Sequence, residues 1–193
     1  MDQHAGKGMG WGRFAAMIVT STVIMFFLMY QLVYRWEDAL FSMTRLVSSL
    51  VMGCVMTAVM LAFMWSMYRP QAFKIAVLAI AIVGGIGLLA INRSQALIGD
   101  VDYMKSMIPH HSIAINNSRE ADIRDPRVRY LADRITRDQV KEIAEMKSLI
   151  ADIERSGLRG NRPLPAAAAV LTPAGRKEAN DLRSGDLLEQ EPL

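Results

Sequence analysis

The sequence predicts an all-α protein in which three transmembrane helices precede an antiparallel two-helix hairpin. Three observations carry this. Residues 14–92 contain three apolar runs, each about the ~20 residues that cross ~30 Å of hydrocarbon. Charge is split along the chain: residues 1–92 carry 6 Lys+Arg and 3 Asp+Glu, while residues 93–193 carry 16 of each. Beyond Gly99 the apolar residues recur with helical period on both sides of Asp125-Pro126. The domain reading is a tail over 1–13, a three-span anchor over 14–92, the hairpin over 93–157 and a mostly disordered tail over 158–193.

Composition narrows the function classes. At 52% hydrophobic residues the chain is too apolar for an ordinary soluble domain. The charged half is balanced, whereas a nucleic-acid footprint needs a patch of one sign, so no nucleic-acid partner is expected. The single cysteine, Cys54, lies inside an apolar run, which excludes an intrachain disulfide.

The first apolar run, Phe14–Tyr34, has 21 residues and ends in Tyr-Arg-Trp. It reads as a retained transmembrane helix, since a cleaved signal has a shorter core and a small-residue cleavage site. The second run, Leu46–Tyr68, stops at Arg69-Pro70, and the third, Ala72–Ile91, stops at Asn92-Arg93. Lys74 is close enough to the start of the third to snorkel to the interface. Trp11, Tyr34, Trp36, Trp65 and Tyr68 fall where interfacial aromatic belts belong. Three spans put the termini on opposite faces. The short-loop basic count is tied: Lys7, Arg13, Arg69 and Lys74 against Arg35, Arg45, Arg93 and Lys105. Lys7 and Arg13 precede the first helix and break the tie, leaving the N-terminus in the cytoplasm and residues 93–193 outside.

The second span carries a methionine ladder, Met52, Met56, Met60, Met64 and Met67, within roughly 120° of one another. Met17, Met25 and Met29 share a face of the first. Such a ladder has two readings: a thioether path for a soft ion, or adaptable apolar filler between helices. In the third span Ala72, Ala76, Ala79, Gly87 and Ala90 form a small face, which permits close helix approach.

The hairpin follows. Its first helix is expected from about Asp100, as N-cap, to Asp122, with a kink at Pro109. Pro126 opens the second helix, which runs to about Arg155 and stops at Ser156-Gly157. The remaining chain is rich in proline and lacks an apolar stripe, with one short helix around Ala174–Leu188.

Candidate chemistry concentrates on these two helices. Met104, Met107, His111, Ile115 and Ser118 lie within roughly 80° on the first, with His110 to one side. The second presents an apolar stripe interrupted by Gln139 and Glu142 and continued by Met146. A buried carboxylate is costly unless it is paired or holds a metal. In an antiparallel hairpin the middles of the helices meet, so His111 should face the Gln139–Met146 section. Imidazole with thioether suits Cu(I) or Ag(I); imidazole with carboxylate also suits Cu(II) or Zn(II). The plainer alternative pairs Glu142 with His111 as a hydrogen bond and leaves Met146 as core. The Glu-x-x-His pattern of di-iron bundles and His-Glu-x-x-His are both absent, and no nucleophile has a base at a recognisable spacing, so no enzymatic activity is expected.

The run Met104-x-x-Met107-Ile-Pro-His-His-x-x-Ala114-Ile115 is followed by Leu131-Ala132-x-x-Ile135-x-x-x-Gln139-x-x-Glu142-Ile143-x-x-Met146. Over about residues 100–152 this resembles the bacterial domain-of-unknown-function family 305, and the three spans resemble its membrane-anchored subgroup. The resemblance implies a ferritin-like helical bundle, copper or silver binding, and a role in metal tolerance at the bacterial inner membrane. It assigns the metal to His110, His111, Met104, Met107 and Met146. Ser112 stands where the family usually has Gln, Ile113 and Asn117 where it has Met, and Leu149 where it has Trp. The two lost methionines remove soft donors. A hairpin this small rarely supplies a stable core alone, so two chains are expected to pair into a four-helix bundle as a homo-oligomer.

Overall fold

The computed structural model describes residues 10–187. Lys7 and the C-terminal residues 188–193 of the expected tail lie outside them. Among the described residues the chain is helical without strands: α1 Trp11–Leu28, α2 Met43–Phe63, α3 Gln71–Ser94, α4 Asp100–Glu120, α5 Pro126–Ser156 and α6 Pro173–Ser184. Short 3-10 turns occupy Trp36–Asp38 and Trp65–Met67. The chain divides into two compact units. The first runs up to Gln31 and resumes over Leu40–Ser106; the second joins Leu32–Ala39 to the chain from Met107 onward.

In the first unit α2 packs against both α1 and α3. All three helices are long and apolar enough to cross a membrane. A Cβ added at Gly53 would stand 2.6 Å from Thr22 Oγ1, and one at Gly85 3.1 Å from Cys54 Cβ, so glycine sets both close approaches. The small face of the third span is not the side that packs within this chain. Ala72, Ala76, Ala79, Gly87 and Ala90 are exposed, and the packed side carries Ala81 and Gly85. A small face permits close approach but does not choose the neighbour.

Phe14, Leu61 and Tyr68 are buried together near one end, with Met17, Met60 and Met64 packed on them. That contact favours the filler reading for this part of the ladder. Trp11 Nε1 donates to the Arg69 carbonyl at 2.9 Å, and Lys74 Nζ to the Trp65 carbonyl at 2.8 Å. Both bonds satisfy carbonyls of a connection that has no helical partners for them. At the other end of α1 the helix stops at Leu28, six residues before Tyr34. The Tyr30 and Gln31 N–H groups turn back to the Phe27 and Leu28 carbonyls, tightening the last turn. The Arg45 guanidinium takes the Met29 carbonyl and lies 4.3 Å from the Tyr30 ring centroid.

In the second unit α4 and α5 are antiparallel, as their cross-links require. The Arg129 guanidinium donates to the Ser118 carbonyl at 2.7 Å near the connection, and His111 meets Glu142 further along. Asp100 lies within the first turn of α4 rather than capping it, and α4 runs through Pro109 without a break in its helical assignment. Asp125 caps α5: its carboxylate accepts from the Arg127 N–H at 2.9 Å. The expected short helix of the tail is α6, capped by Thr172 Oγ1, which accepts from the Gly175 N–H at 3.1 Å. It is tied to α5 by an Arg134–Glu178 ion pair and by Arg127 Nη1 donating to the Arg183 carbonyl at 2.9 Å.

The Asp125 cap titrates in a way that can be checked. The Arg127 side chain, then the Arg127 N–H, hold its carboxyl down to about 2 from the ordinary 3.8. A depressed folded value stabilises the folded state fully above about pH 4 and loses that contribution as pH falls toward 2. A carboxyl ¹³C titration should therefore place Asp125 near 2, and fraying of the α5 N-terminus should begin below pH 4. A midpoint at the ordinary carboxylate value is the contrary result.

Candidate metal half-site and its brace

His111 and Glu142 form the centre of the second unit. The imidazole is buried, with its side chain 11% exposed against 48% for Glu142. Its Nδ1 lies 2.9 Å from the Met107 carbonyl, one helical turn back on α4. A carbonyl only accepts, so Nδ1 carries the proton. That leaves Nε2 pointing across to Glu142 Oε2 at 2.7 Å. A carboxylate oxygen accepts, so Nε2 donates to it whenever that nitrogen carries a proton. Gln139 Nε2 approaches the same oxygen at 3.4 Å. A metal-ligating histidine commonly has one nitrogen fixed on a carbonyl in this way, which leaves the other for the ion; here that other nitrogen meets Glu142.

The expected donors separate under this geometry. His111, Glu142 and Gln139 are brought together as expected. Met107 meets the histidine through its carbonyl oxygen and is half-buried, and Met146 is half-buried one turn beyond Glu142 on α5. His110 is exposed, its ring centroid 6.1 Å from that of His111, because consecutive helical residues diverge by ~100°. Met104 is buried and belongs to the first unit. Among the described residues no group of three or more His, Cys, Asp or Glu side chains could hold a metal. One chain thus brings one imidazole and one carboxylate together as possible donors. Bonds of ~2.0–2.2 Å to one ion at a tetrahedral angle need donors over 3 Å apart, so the 2.7 Å pair must open slightly. The half-exposed Glu142 can move that far.

A second set of residues was invisible to the periodicity. Ser112, next to His111, is fully buried and donates its hydroxyl proton to Asp38 Oδ2 at 2.9 Å. Its oxygen accepts from the Tyr34 and Arg35 N–H groups at 3.0 and 3.4 Å. Lys147 Nζ reaches Asp38 Oδ1 at 2.6 Å. Residues 32–39 are thus seated against α4 and α5. The one available signal was the pair Glu37-Asp38 in a short connection between apolar runs, where acidic residues need partners.

Comparison with known proteins agrees with the resemblance carried by α4 and α5. An uncharacterized protein of Acanthamoeba polyphaga mimivirus is 47% identical over 60 residues, covering 30% of this chain and 40% of that protein. The matched stretch thus spans well under two thirds of that relative. No solved structure matches. The family model that matches, described as "Domain of unknown function (DUF305)", aligns with residues 100–183, from the start of α4 to the last turn of α6.

Proposed function

We propose that this chain is a membrane-anchored binding protein for copper or silver ions, sequestering them at the outer face of a bacterial inner membrane in metal tolerance. The observation that supports it is His111, held by the Met107 carbonyl so that Nε2 faces Glu142. The ion is cargo. His111 and Glu142 take it first, Gln139 steadies the carboxylate, and Met107 and Met146 are the nearest thioethers along each helix. The exposed His110 is free to serve a second copy of the chain, which fits a homo-oligomeric bundle. Copper in either oxidation state suits a mixed N, O and S donor set, and silver suits the thioethers.

A structural or signalling module whose hairpin only oligomerises is the second reading. It draws on the absence of a three-donor cluster among the described residues and on a His111–Glu142 pair that is already hydrogen-bonded. Titrating the full chain in micelles with Ag(I), Cu(I), Cu(II) and Zn(II) separates the two. Saturable binding tighter than micromolar, lost in His110→Ala/His111→Ala, is expected. Its absence sinks the metal reading.

Orientation has its own test. The bonds from Asp38 to Ser112 and Lys147 support one membrane face for residues 32–39 and the hairpin. With Cys54 replaced by Ser, probes at Glu37→Cys and Asn161→Cys should both react with an impermeant maleimide from outside. Ser66→Cys should react only after lysis. Protection of Asn161→Cys alone would contradict this arrangement.

A further inference from the structure

A single carboxylate, Asp38, joins both helices of the hairpin while belonging to neither. It is 2% exposed, and its two oxygens go to different helices: Oδ2 to Ser112 on α4 at 2.9 Å, Oδ1 to Lys147 on α5 at 2.6 Å. Burying a carboxylate is costly, so such a group persists where its partners are supplied on every side. Here they are a hydroxyl and an ammonium, with Ser112 Oγ also receiving two backbone N–H groups. We propose that Asp38 is a positioning residue for the His111–Glu142 pair, acting through Ser112 and Lys147.

The reasoning is rotational. Ser112 follows His111 directly, so pinning the hydroxyl fixes the azimuth of the imidazole ~100° away on the same turn. Lys147 lies five residues beyond Glu142 on α5 and one beyond Met146. The brace therefore sets both the rotation of α4 and its spacing from α5 at the level where Nε2 meets Oε2. Groups that support a ligand in this way typically change metal affinity 10–100-fold when removed.

Two substitutions cut the same arm from opposite ends. Asp38→Asn keeps the shape but turns an amide toward Lys147, whose side chain is 38% exposed and can swing into water. Lys147→Met keeps the apolar stem. The chain has three histidines, so selective ¹⁵N-histidine labelling of the full protein in micelles gives a spectrum simple enough to assign. Both variants should shift the His111 ring resonances in the metal-free protein, leave those of His110 in place, and weaken Ag(I) binding about tenfold. Helical content should be unchanged. Unchanged His111 resonances in both variants would overturn the proposal. Should Asp38→Asn fail to fold, Lys147→Met decides alone. The affinity readout rests on the proposed metal binding, but the ring resonances do not. Wild-type protein that binds no ion would defeat the metal reading and still leave the positioning claim decided.

Discussion

His111→Ala should abolish tight binding of Cu(II) and Ag(I) by the full chain, weakening it by at least about 100-fold. The ring supplies a buried nitrogen donor, and its Nε2 faces the Glu142 carboxylate. His110→Ala should have a smaller effect within one chain, because its ring is exposed and diverges from the pair. Calorimetry in buffers of different ionisation enthalpy adds a second readout. Donor groups must be deprotonated to hold an ion, so binding that uses the His111–Glu142 pair should release protons. The folded state should survive the substitution, since Glu142 is half-exposed and water can replace the imidazole. Retention of wild-type affinity in His111→Ala would place the metal elsewhere or nowhere. Loss of fold together with affinity would point to the structural reading.

Ser112→Ala should give the largest loss of stability in the second unit, about 2–4 kcal/mol. The hydroxyl is fully buried and serves three partners: the Asp38 carboxylate and the Tyr34 and Arg35 N–H groups. Alanine removes the oxygen without adding volume, so the cost is that of polar groups left unmade, each worth ~1–3 kcal/mol when buried. Part is recovered because Asp38 retains Lys147. Native-state hydrogen exchange reads the change directly, with the Tyr34 and Arg35 amides losing protection before those of α5. Unaltered exchange at both amides would show that the 32–39 segment is held by something other than this hydroxyl.

The spans were legible because run length and apolarity report directly on the bilayer, and α2 and α3 fall close to their expected ranges. The face of α3 that packs was not. Gly85 against Cys54 is a relation between two helices, and the periodicity of one helix does not contain it. The end of α1 was also misjudged: residues 29–34 are apolar apart from Gln31, yet the chain turns where Arg45 reaches the Met29 carbonyl. The facing of His111 and Glu142 followed from a short connection and two amphipathic stripes, which fix an antiparallel register. Asp38 could not follow from either. Its partners lie 74 and 109 residues further along, and a bond between small polar groups leaves no mark on hydrophobic pattern.

The second unit is built from two separated stretches of polypeptide, with the whole of α2 and α3 between them. Its completion is therefore tied to biosynthesis. Asp38 leaves the ribosome 109 residues before Lys147. At ~5–20 residues per second the carboxylate waits roughly 5–20 s for its ammonium. During that interval the segment has no hairpin to fold onto. The second unit thus forms only in chains whose α2 and α3 have already been synthesised.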